Sequence, residues 1–84
     1  MDDQALVLEL ARELLDRPDL TLDEDFFSAG GDSITAMHLI GRLSRQTGLR
    51  LRVAQVFANS TLRDLAASVE QVRAAAEHEA THAP

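Results

Sequence analysis

The chain contains no cysteine, no tyrosine and no tryptophan, and along its 84 residues all eight basic positions are arginine, so lysine is missing as well. Without cysteine there are no disulfides, no thiolate catalysis and no thiolate metal site. Without lysine there is no P-loop and no Schiff-base chemistry. Any thiol or amine chemistry must come from an attached group or from a partner. Aromatic residues make up only 4% of a chain that is 45% hydrophobic. The core must therefore be built from Leu, Val, Ile and Ala with Phe26, Phe27 and Phe57 as its only rings, a composition that suits packed helices better than strands. No apolar run approaches the ~20 residues of a membrane span, and the start "MDDQALVLEL" is acidic where a signal peptide would be basic. A cytoplasmic location is expected, with no membrane partner. Nucleic acid is excluded as a partner on charge, because the arginines are scattered among 14 acids at a net charge of −6.

A chain of this length makes one domain and buries only about 60% or a little more of the surface its unfolded form exposes, which leaves no room for a deep enzyme cleft. From Asp3 to Asp16, apolar residues at Leu6, Val7, Leu10, Ala11 and Leu14 have the spacing of an amphipathic helix, with Asp2 or Asp3 as N-cap and Pro18 as the stop. Residues 17 to 32 form a long loop that Leu20, Leu22, Phe26 and Phe27 can pin to the core. A second helix is expected from Ser33 to Thr47, closed by Gly48. Its core face carries Ala36, Leu39, Ile40, Leu43 and Thr47, and its other face Ile34, Met37, His38, Gly41 and Arg45. Arg52 to Ala58 reads as one or two helical turns, and Thr61 with Asp64 resembles a capping box before the stripe Leu62, Leu65, Ala66, Val69 and Val72. The fold class is all-α, a small bundle of three main helices plus one short helix. Residues 1–76 are read as the domain and 77–84 as a flexible tail in which the stripe is lost and the helix frays.

The stretch "GGDSIT" singles out Ser33. Asp32 can cap the second helix by accepting from the N–H of Ile34 or Thr35, which makes Ser33 the first helical residue and leaves its hydroxyl free. Gly30 and Gly31 remove side chains from the approach to that hydroxyl and allow backbone angles closed to other residues. A phosphate ester on Ser33 would lie where free N–H groups and the helix dipole favour negative charge. Ser33 has no histidine placed to activate it, since His38 lies well around the wheel, so a partner must do so.

The segment "DEDFFSAGGDSI" resembles the signature Asp-x-Phe-Phe-x-x-Gly-Gly-(His/Asp)-Ser-(Leu/Ile) of peptidyl carrier (thiolation) domains of nonribosomal peptide synthetases, and the resemblance covers about residues 4 to 72, including "GLRLRVAQVFANSTLRDLA". It implies an acyl-carrier-protein-like four-helix bundle that is monomeric and catalyses nothing itself. By the same resemblance Ser33 accepts 4'-phosphopantetheine from coenzyme A through a phosphopantetheinyl transferase, with Gly31 and Asp32 beside it. An adenylation enzyme then loads the added thiol, and condensation or tailoring enzymes receive the thioester. A partner face of Ile34, Met37, His38, Gly41 and Val53 is expected if the third segment lies beside the second helix. The family often has Pro where Ser60 stands, which is expected to alter only the entry to the last helix, and Asp32 stands where many elongation carriers have His. The alternatives are an acyl carrier protein of polyketide or fatty-acid synthesis and an unmodified helical interaction module.

Other matches carry less. "HEATH" at 78–82 matches the zinc-protease pattern but has no third ligand after it. Asn59-Ser60-Thr61 fits a glycosylation acceptor that a cytoplasmic chain would not use, and "DEDF" lacks the glycine and terminal glutamate of a calcium loop.

Overall fold

The computed structural model describes the backbone of residues 2–82 and the side chains of residues 2–77. Four helices follow in order: α1 Asp3–Leu15, α2 Ser33–Thr47, α3 Ala54–Ala58 and α4 Leu62–His82. Asp2 caps α1 by accepting the Ala5 N–H at 2.7 Å. The helix ends at Asp16, whose left-handed backbone (φ 53°) turns the chain before Pro18 is reached. Gly48 closes α2 with φ 72°, a conformation in which the lack of a Cβ removes the strain. The third helix is shorter than its sequence pattern, because Arg52 and Val53 lie in the turn that precedes it.

The amphipathic patterns meet in one core. Val7, Leu10 and Ala11 of α1, Leu39 and Leu43 of α2, Val56 of α3 and Leu65 and Val69 of α4 are all buried. α1 packs against both α2 and α4, while α3 packs on α4. Within the third segment, Val53 is half-buried against the core. Thr47 is also only half-buried, with its hydroxyl donating back to the Leu43 carbonyl at 2.6 Å.

Between α1 and α2 the loop is anchored in the core. Leu20 and Phe26 are fully buried, and Leu22 and Phe27 pack partly buried on the same core. Three backbone bonds join the loop to the start of α4: Phe26 N–H to Ser60 O at 2.7 Å, Leu62 N–H to Glu24 O at 3.1 Å and Arg63 N–H to Leu22 O at 2.9 Å. They flank an antiparallel bridge between Asp25 and Thr61. Arg12 adds a bond from Nε to the Leu20 carbonyl at 2.9 Å.

The backbone of α4 stays helical to His82, so the loss of the apolar stripe after Val72 does not end the helix. The side chains of the "HEATH" match lie outside the described residues, and among the described residues no group of His, Cys, Asp or Glu could hold a metal. No described helix is long and apolar enough to cross a membrane.

Candidate functional site

The site is the junction of the loop with α2. Its foundation is Phe26, whose carbonyl accepts the Gly31 N–H at 3.0 Å while its ring lies against Gly31. A Cβ at Gly31 would overlap that ring and stand 2.7 Å from the Phe26 carbonyl oxygen. Gly31 is therefore a packing requirement of the loop. Gly30 meets a different demand, a backbone φ of 113° that an L side chain rarely adopts, and has open space around it.

Asp32 then caps α2. The Thr35 N–H donates to Asp32 Oδ1 at 2.9 Å and the Asp32 N–H donates to Thr35 Oγ1 at 2.8 Å, a reciprocal capping box. The backbone N–H of Thr35, followed by its hydroxyl, holds the Asp32 carboxyl below its ordinary range. Asp32 is thus an engaged anion at neutral pH. The Thr35 partner was readable in the sequence as the third residue after the cap. Asp25, five residues before Gly30, is likewise held low, first by the Ser60 hydroxyl and then by the Ser28 N–H. Ser60 therefore does more than shape the entry to α4: its hydroxyl and carbonyl both bind the site loop.

Ser33 is the first residue of α2 and is exposed, and its hydroxyl has no hydrogen-bond partner among the described residues. Asp32 leaves the helix dipole at this end only partly compensated, and a phosphate ester on Ser33 Oγ would lie beside the first-turn N–H groups. The geometry fits such a group: the oxygen is open and spare, and the residues around it are bonded to one another. The adjacent Asp32 carboxylate opposes a second anion but is turned to the cap.

Farther along α2, Ile34 and Met37 are 61% and 56% exposed, and His38 is exposed beside them. Gly41 has nothing within 4 Å of the place its Cβ would occupy. Phe57 of α3, expected from the composition to be a ring of the core, is instead 53% exposed, because it lies on the side of this short helix away from the buried Val56.

Residues 5–69 match the family model described as "Phosphopantetheine attachment site". The chain is 40% identical over 70 residues to bacitracin synthase 3 of Bacillus licheniformis, covering 83% of this chain and 1% of that protein. It is 51% identical over 49 residues to nonribosomal peptide synthetase GRA1 of Gibberella zeae, again 58% of this chain and 1% of that protein. Among solved structures, a nonribosomal PCP domain superposes with a TM-score of 0.70 at 31% identity, over 80% of this chain and 86% of that one. A peptidyl carrier protein solved with the phosphopantetheine transferase Sfp and coenzyme A shares the fold, with a TM-score of 0.78 at 22% identity, over 84% and 92% of the two chains. The chain belongs to the phosphopantetheine-attachment family, as a carrier domain of the nonribosomal peptide synthetase type. It spans about one hundredth of the length of the large synthetases that it resembles.

The two glycines with contrasting surroundings make a direct test. Gly31→Ala should lower stability by about 1–3 kcal/mol through overpacking against Phe26, whereas Gly41→Ala should raise it by up to about 1 kcal/mol through helix propensity. Denaturant midpoints measure both, and a neutral Gly31→Ala would contradict the packing role.

Proposed function

We propose that Ser33 is the residue that carries 4'-phosphopantetheine, and that the domain passes aminoacyl or peptidyl thioesters between enzymes of nonribosomal peptide synthesis without catalysing any step. The observation that carries this reading is the spare hydroxyl of Ser33 at the first position of α2, where Asp32 and Thr35 already complete the cap. When bound, the group supplies what the sequence lacks, a thiol at the end of a flexible arm that holds an acyl unit as a thioester.

The chain's own residues position and present. Phe26 and Gly31 fix the loop, Asp32 and Thr35 fix the helix start, and together they hold Ser33 Oγ toward solvent. The proton of that hydroxyl must leave to a base of the partner, since Asp32 is occupied by Thr35 and His38 is on an outward turn of α2. The partners of this reading are a phosphopantetheinyl transferase, an adenylation enzyme, and condensation or tailoring enzymes.

Their docking face is proposed as Ile34, Met37, His38 and Gly41 of α2 with Val53 at the start of α3. Support comes from the exposure of Ile34 and Met37, which a lone domain gains nothing by leaving in water. The open Gly41 supports it too, since it costs a helix interior about 1 kcal/mol relative to Ala and allows a partner backbone to come close. Methionine adapts to several surfaces in turn.

Intact-mass analysis after incubation with coenzyme A and a broad-specificity transferase should show one phosphopantetheine on the wild type and none on Ser33→Ala; modification of Ser28, Ser44, Ser60 or Ser68 instead would refute the assignment. Met37→Glu should leave stability within about 0.5 kcal/mol, as expected for an exposed position, and slow modification and loading. Normal loading rates in that variant would remove Met37 from the docking face.

A further inference from the structure

All three aromatic rings of the chain stand in one series. Phe26 meets Phe27 edge to face at a centroid distance of 5.4 Å, and Phe27 stacks on Phe57 at 5.2 Å with an interplanar angle of 16°. The inner end of the series is fully buried beneath Gly31, two residues before Ser33. The outer end, Phe57, is 53% exposed. A chain with three aromatic residues thus uses them to join the wall of the attachment loop to an open ring on α3.

We propose that the exposed ring of Phe57 is a resting platform for the apolar, above all aromatic, side chain of an aminoacyl group carried on Ser33. The proposal rests on Ser33 being the attachment residue. Stacking on Phe27 fixes the ring before anything arrives, so little order is lost on contact. The occupant is the tethered group rather than a protein for two reasons. First, α3 (AQVFA) has no charged residue in a chain that is 26% charged, so the helix that carries Phe57 has no ion pair of its own to orient a protein but suits an uncharged side chain. Second, tethering raises the effective concentration to the order of millimolar, which favours a ring–ring contact that is too weak to hold a free ligand. A charged or very small side chain gains nothing there.

The absence of tryptophan and tyrosine makes the experiment clean, because a carried tryptophanyl group is the only indole present. Tryptophanyl and glycyl groups are loaded from their hydrolysis-resistant coenzyme A amides by a broad-specificity transferase, and mass spectrometry reports loading separately from contact. The tryptophanyl carrier should emit to the blue of free tryptophanyl-pantetheine and show NMR cross-relaxation between indole and Phe57 ring protons. The Phe57→Ser variant should load equally well and lose both signals. Phe57→Leu, which keeps apolar contact with Phe27, guards against loss of fold and should retain a smaller shift. Emission equal to that of the free compound in the wild type overturns the proposal, as does a Phe57 signal that moves when the transferase is added but not when the group is loaded. Failure to load, or loading in Ser33→Ala, overturns the Ser33 reading and this proposal with it, and the mass alone identifies that case.

Discussion

The structure depends on where Phe26 is. Its ring fills the core, its N–H reaches Ser60 at the start of α4, and its carbonyl receives Gly31 at the start of α2. One residue therefore ties a long irregular segment to both ends of the molecule that matter for Ser33. A loop of this length is ordinarily mobile surface. Here burying Leu20 and Phe26 removes a large apolar area from water, and the backbone bonds to residues 60–63 pair the Phe26 N–H and the carbonyls of Leu22 and Glu24. The Ser33 hydroxyl sits two residues after Gly31, which is itself bonded to the buried Phe26, and at the first residue of a helix whose cap, Asp32, is bonded to Thr35.

Charge is arranged around that frame. Asp32 caps the start of α2 without using Ser33, and Asp25 organises the turn below it with Ser28 and Ser60. At the far end, Arg73 of α4 grips the buried Asp3 of α1 with two bonds, Nη2 to Oδ1 at 2.7 Å and Nε to Oδ2 at 3.2 Å. A carboxylate at the first turn of a helix is favoured by the dipole, and pairing it lets it be buried. The exposed pairs, such as Arg63 with Asp23 and Arg42 with Glu13, contribute little by comparison.

Much of this was legible in the residues. The repeat of Val7, Leu10 and Ala11, the stripe from Leu62 to Val69 and the glycine after Thr47 fixed the helices, because one buried face and one left-handed closing residue are local signals. Asp32 as the cap and Ser33 as the spare hydroxyl followed from their order. What could not be read was long-range. Nothing near Gly31 says that its hydrogen faces the ring of Phe26 five residues back, and nothing near Ser60 says that its carbonyl receives Phe26. The placement of α3 on α4 and the stacking of Phe57 on Phe27 likewise arise only when distant segments meet. The continuation of α4 to His82 shows the opposite limit, since a run rich in alanine and glutamate stays helical on propensity after its stripe has ended.

The central claim is that the loop before Ser33 is part of the folded core and not a flexible lead. Amide hydrogen exchange tests it residue by residue. The N–H groups of Phe26, Gly31, Leu62 and Arg63 should be protected to within about tenfold of those of Leu39 and Leu65, since opening the loop exposes Phe26 and so requires most of the core to open. Exchange of Phe26 and Gly31 at the rate of an unstructured peptide, with Leu39 and Leu65 still protected, would show that the loop opens on its own and would contradict the account.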